Sequence, residues 1–131
     1  MFTNEKITKD LSRAEKFFEN IIAYTVGSFT LEDMIKNSLE SINIVDVRDY
    51  DNFIEEHIPY ALNIPISDIE KHYKILDKSR VTIVYTHNDS CEKAYKAALV
   101  LLKENYPCVV LRGGFEEWKY CGLDIIKKSF N

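Results

Sequence analysis

The sequence predicts an α/β fold: a mainly parallel sheet covered by helices on both faces. Three observations carry that prediction. Val81-Thr82-Ile83-Val84-Tyr85 is an unbroken apolar, β-branched run, the composition of a strand buried on both sides. A polar segment, Thr86-His87-Asn88-Asp89-Ser90, follows directly, and beyond it Ala94, Ala97, Ala98, Leu101 and Leu102 share one face of a helix. Strand-like and helix-like segments also alternate through the rest of the chain, as they do where parallel strands are joined by crossover helices.

Taken in order, residues 8–25 have an amphipathic pattern, with Leu11, Ala14, Phe17, Phe18, Ile21 and Ile22 on one face. This helix is expected to pack on the domain; a partner-binding helix is the alternative. Gly27 is placed to end it, and Ser28-Phe29 is expected to be a very short edge strand. Thr30 is expected to cap a helix that reaches Asn37 and turns Leu31, Met34, Ile35 and Leu39 inward. Ile44, Val45 and Val47 then form a buried strand with Asp46 and Arg48 at its C-terminal end, the end where open α/β sheets build their sites. Asp51 is expected to cap a short helix to Glu56, and Pro59 forces a turn at His57–Tyr60. Residues 61–64 form a brief strand stopped by Pro65, and residues 67–76 are expected to be helical. Residues 107–111 give the last strand. Gly113-Gly114 turns the chain, and residues 115–120 form a helix that buries Phe115 and Trp118 and ends at Gly122.

The chain has 131 residues, a size that fits one core. Its net charge is −4, from 17 Lys+Arg against 21 Asp+Glu, so the basic excess of a nucleic-acid binder is missing. Cys91, Cys108 and Cys121 are odd in number and not closely paired, which argues against a disulfide framework, and no CxxC spacing suggests zinc. No cofactor is called for. The N-terminal residues lack the apolar core of a signal peptide, and no segment is long enough to span a bilayer. A reducing cytoplasm with free thiols is the expected setting, with no membrane partner.

The loop after Tyr85 is the candidate site. Loop amides and a helix N-terminus together make an anion cradle. Asp89 and Glu92 have capping-box spacing, which would put Cys91 in the first helical turn, where the helix dipole lowers a thiol pKa and the two carboxylates raise it.

Several segments resemble one family, the rhodanese-like domains. Ile44-Val45-Asp46-Val47-Arg48-Asp49 is similar to the family's DVR strand, and residues 53–65, FIEEHIPYALNIP, to its GHIPGAxNIP segment. Val84-Tyr85 with the loop and Ala97-Ala98 resembles the active-site strand, loop and helix. Leu111-Arg112-Gly113-Gly114-Phe115-Glu116-Glu117-Trp118 resembles the ending L-x-GG-x-x-x-W. These motifs cover residues 28–125. The N-terminal segment AEKFFENIIAYTVG resembles an extension found in a single-domain branch. The resemblance implies five strands, a domain over residues 28–126 and a helical extension over residues 1–27. It also implies sulfur transfer: a loop cysteine directly after the strand's tyrosine takes the outer sulfur of a donor such as thiosulfate, holds it as a persulfide, and passes it to cyanide or a thiol.

The sequence departs from that pattern at one position. Thr86, not cysteine, follows Tyr85, and a hydroxyl forms no persulfide. Cys91 matches the second cysteine of the family's longer loops. Three readings of Cys91 stand: an inert helix-start thiol, a relocated persulfide carrier, and a redox thiol. His87 at the loop mouth is either an unassigned loop histidine or a ligand-orienting acid–base group. Asp46 and Arg48 form a structural ion pair, or Arg48 aims at an anion. Arg112 borders the pocket or stands apart from it. His57 holds its turn, Cys108 belongs to the core, and Cys121 lies at the surface or in packing. With no arginine among Asn88, Asp89 and Ser90 to grip phosphate bidentately, phosphatase chemistry is disfavoured.

Two functions are therefore expected. One is a binding module whose loop, Thr86 to Cys91, holds a small anionic sulfur compound, a thiol or a protein partner, with ordinary thiosulfate:cyanide activity absent or severely weakened. The other is a sulfurtransferase or sulfur carrier that uses Cys91. A homodimer through the N-terminal helix is compatible with either.

Overall fold

A computed structural model of the chain describes residues 10–129. Six α-helices and seven strands follow one another among the described residues: α1 (Leu11–Tyr24), β1 (Thr25–Val26), α2 (Ser28–Asn37), β2 (Ile42–Asp46), α3 (Tyr50–Glu55), β3 (Glu56–His57), β4 (Leu62–Asn63), α4 (Ile69–His72), β5 (Val81–Tyr85), α5 (Lys93–Lys103), β6 (Cys108–Leu111), α6 (Gly114–Tyr120) and β7 (Ile126–Lys127). Five strands pair in parallel in the order β1-β6-β5-β2-β4. β5 is central, with Ile44 beside Ile83 on β2 and Val109 beside Ile83 on β6. A separate antiparallel pair, β3 with β7, ties the end of α3 to the last described residues.

The alternation of side chains splits the core in two. Val45, Val47, Val84 and Val110 face α5, packing on Ala94, Ala97, Ala98 and Leu101. Ile42, Ile44, Ile83, Tyr85 and Leu111 face the other way, onto Leu31, Phe115 and Trp118. The small alanines let α5 lie close to the sheet, so the loop that joins β5 to α5 starts and ends on fixed elements.

Several local expectations are corrected. The edge strand is Thr25–Val26, which pairs with Val110 and Leu111, and not Ser28-Phe29, which opens α2. α1 stops at Tyr24 because Thr25 turns extended to join the sheet, so Gly27 caps the next helix in place of Thr30. Asp49, not Asp51, precedes α3. Residues 66–75 form two single 3-10 turns on either side of the four-residue α4, not one helix. Leu102 is 49% exposed and faces outward from α5, so Leu101 alone of that pair serves the core. α1 is amphipathic, as its pattern predicts, yet none of its residues is buried: Leu11 is 72% and Ile22 75% exposed, while Phe17 and Ile21 border an apolar groove against α5 and β6.

Candidate functional site

The C-terminal ends of β1, β6, β5 and β2 lie side by side, because the strands are parallel, and the loop after β5 is at their centre. Its backbone is held by α6. The first-turn N–H groups of Phe115 and Glu116 donate to the carbonyls of Thr86 (2.9 Å) and His87 (2.9 Å). That contact needs Gly114: a Cβ there would lie 2.7 Å from the Thr86 carbonyl oxygen and 2.8 Å from the Asn88 nitrogen, and its φ is +63°. The Gly-Gly turn is thus what brings α6 onto the loop.

Within the loop, Asn88 Oδ1 accepts from the Ser90 N–H (3.1 Å) and hydroxyl (2.7 Å), and the Cys91 N–H donates to the Asn88 carbonyl (3.2 Å). Asp89 does not cap the following helix. Its Oδ1 turns to the Gly113 N–H at 2.7 Å, and α5 begins only at Lys93. The expected capping box is therefore absent, and Cys91 precedes the helix by two residues instead of lying in its first turn. The N–H groups of His87, Asn88 and Asp89 have no acceptor among the described residues, so the loop keeps spare donors.

Thr86 is 2% exposed, and its Oγ1 lies 3.5 Å from Cys91 Sγ. The loop folds back so that the two residues, five apart, meet. The thiol pKa is held below its ordinary value of 9.0, first by the Thr86 hydroxyl and then by the Lys93 backbone N–H and the Lys93 charge; partial burial and Glu92 push the other way. The thiol is partly accessible. A nucleophilic sulfur needs these two properties together.

The other two thiols differ. Burial in β6 pushes Cys108 up to about 12, and Cys121 is raised by burial and by Glu117 beside it. Arg48 is buried and engaged elsewhere: its guanidinium grips Asp46 (2.7 and 3.1 Å), donates to the Glu56 carbonyl (2.7 Å), and stacks 4.3 Å from the Phe115 ring centre. It joins the floor of the site to β3 and α6, the structural role of the two sequence readings. His57 Nδ1–H donates to the Phe53 carbonyl (2.8 Å), and its ring stacks on the Phe53 ring, which fixes its turn. Tyr85 receives the Ile58 N–H on its hydroxyl, and burial with the nearby Asp46 drives its pKa upward. His87 is half-buried in the loop. Arg112 lies to one side, across Asp89 and Gly113, where it donates to Thr25 Oγ1 at 2.7 Å. Among the described residues, no group of three or more His, Cys, Asp or Glu could hold a metal ion, and no helix is long and apolar enough to cross a membrane.

The geometry also brings in a residue that the sequence pattern undervalued. Thr86 enters the sequence reading as the departure from the family's cysteine and the first residue of the binding loop; in the fold it is the hydrogen-bond partner of Cys91. The five-residue separation with Asn88 and Ser90 between, a turn-forming pair, is the signal that points to it.

A parallel α/β sheet with a thiol-bearing loop after its central strand defines the class. The rhodanese-like domain model matches residues 30–121, and the chain belongs to that family. It is 35% identical over 80 residues to the thiosulfate sulfurtransferase GlpE of Coxiella burnetii, covering 60% of this chain and 72% of that one. It is 30% identical over 88 residues to a sulfurtransferase of Allochromatium vinosum, covering 66% and 80%. Among solved structures, the BH2092 protein of Bacillus halodurans superposes with a TM-score of 0.80 at 31% identity, covering 90% of this chain and 87% of that chain.

Proposed function

We propose that this rhodanese-like protein handles sulfane sulfur through Cys91, with Thr86 as the hydroxyl that supports the thiolate. The observation behind this reading is the 3.5 Å contact between Thr86 Oγ1 and Cys91 Sγ on a partly open loop. In the reaction, the Cys91 thiolate attacks the outer sulfur of a donor such as thiosulfate. A new S–S bond forms, the old one breaks, and sulfite leaves with the electron pair. The resulting persulfide gives its outer sulfur to a thiol or cyanide, which regenerates the thiolate. Relatives named sulfurtransferase, and one from Bacillus subtilis named a putative sulfur carrier protein, support this class of chemistry. A reducing, cytoplasmic setting suits a thiol that must stay free.

Thr86 in place of the family's nucleophile favours a second reading. In it the loop Thr86 to Cys91 binds an anion, a small thiol or a protein partner and does not turn over. Incubation with thiosulfate, followed by intact-mass and peptide analysis, separates the two. The carrier reading expects a gain of one sulfur atom on the Cys91 peptide, lost in Cys91→Ser and discharged by cyanide as thiocyanate. No gain on the folded protein would leave the binding module.

A further inference from the structure

α1 carries more apolar surface than the domain covers. The helix meets the sheet along one line, where Ala14 and Ile21 are half-buried and Ile21 borders β6. On one side of that line, Leu11, Phe18 and Ile22 form a ridge, spaced by seven and then four residues. On the other side, Phe17 and Tyr24 line a groove of about 350 Å³ with Tyr95 and Leu99 of α5. Phe17 and Phe18 join the two flanks, their ring centres 5.5 Å apart. All seven side chains are between 41% and 75% exposed.

The size of this face decides what it is for. Taking 150–250 Å² for each aromatic side chain, and its exposed fraction, the ridge and groove together present roughly 800 Å². The largest apolar patch of a typical monomer is about 300–600 Å², and one partner in a standard stable interface contributes about 800 Å². The shape and charge then select the partner. A ridge and a groove side by side on one surface are self-complementary: about a two-fold axis each ridge meets the other groove, the contact is made twice, and the assembly closes at two copies. The polar side of α1 carries Arg13 and Lys16 against Glu15 and Glu19, so two copies of the helix meet without net repulsion although the chain as a whole is −4. The same balance lacks the basic excess that draws an amphipathic helix to an anionic lipid surface.

We propose that this face pairs with the same face of a second copy of the chain, the ridge of each α1 seated in the groove between α1 and α5 of the other. The pairing does not depend on sulfur transfer at Cys91.

The test is sedimentation velocity on the full chain from about 1 to about 200 µM, a range that brackets a micromolar association. A monomer–dimer equilibrium is expected. Phe18→Glu on the ridge and Leu99→Lys in the groove should each weaken it ~30-fold or more, the loss expected for a central anchor of an interface. Both positions are exposed, so both variants should fold, which far-UV circular dichroism and an unchanged monomer melting temperature at low concentration check. Mixing the two variants should restore part of the association, because one ridge–groove contact is then intact and the other sets a glutamate against a lysine. A monomer throughout the range would overturn the proposal, as would a dimer that neither substitution weakens, or variants that show no recovery on mixing. Growth past the dimer with concentration would overturn the two-fold closure. Binding of a monomeric chain to phosphatidylcholine vesicles, lost in Phe18→Glu, would also overturn the proposal and give the face to lipid.

Discussion

Cys91 and Cys108 flank the same helix, α5, and carry the same side chain into opposite chemistry. Cys91 lies in a polar loop, within reach of a hydroxyl and a backbone N–H that favour its charged form. Cys108 begins β6, packed against the alanine face of α5, where nothing compensates a thiolate. The difference teaches that position along the fold, and not residue type, decides which thiol ionises more readily: the loop offers donors and partial access, and the strand offers neither.

Alkylation should show the largest contrast. At pH 8, iodoacetamide should modify Cys91 ~10³-fold faster than Cys108, since both thiolate fraction and access favour it; peptide mapping over time measures the ratio, and comparable rates would break the comparison. Alkaline stability comes next. A thiol held up to about 12 in the fold, but ordinary at 9.0 when unfolded, keeps its proton longer in the native state. The unfolded chain therefore releases that proton first, and Cys108 should cost stability at ~1.4 kcal/mol per pH unit as pH rises from its unfolded to its folded value. Denaturant unfolding of wild type and Cys108→Val across that range should differ by this slope, with the variant flatter. Thr86→Val should slow Cys91 alkylation several-fold near neutral pH while leaving Cys108 unchanged, because it removes the hydroxyl from one thiol only. The smallest effect should be that of Cys91→Ser on stability, within ~0.5 kcal/mol, as expected for a partly exposed loop residue.

A parallel lesson lies within α5. Leu101 and Leu102 look equivalent in a helical pattern, but only Leu101 is buried. Leu101→Ala should cost ~3 kcal/mol in urea unfolding and Leu102→Ala under ~1.

The strand–loop–helix unit was legible because burial leaves a plain mark: Val81–Tyr85 begins and ends where the apolar run does. The turn at Gly113-Gly114 and the burial of Phe115 and Trp118 were legible for the same reason. What stayed hidden depends on contacts between distant segments. Thr25–Val26 becomes a strand because Val110 and Leu111 offer an edge, and that pairing outweighs the helical pattern leading into it. Asp89 has capping spacing, yet Gly113, far along the chain, takes its carboxylate. The same is true of the site: Cys91 could be singled out by residue type, but its pairing with Thr86 exists only once Asn88 and Ser90 have closed the loop.

The most direct measurement is the ionisation of Cys91, followed by thiolate absorbance against pH in a Cys108→Val, Cys121→Ser background, with and without Thr86→Val. With Thr86 present, the midpoint should fall below the ordinary thiol value of 9.0, and removing the hydroxyl should raise it. A midpoint at or above that value, unmoved by the loss of Thr86, would contradict the view that these two residues form the reactive centre.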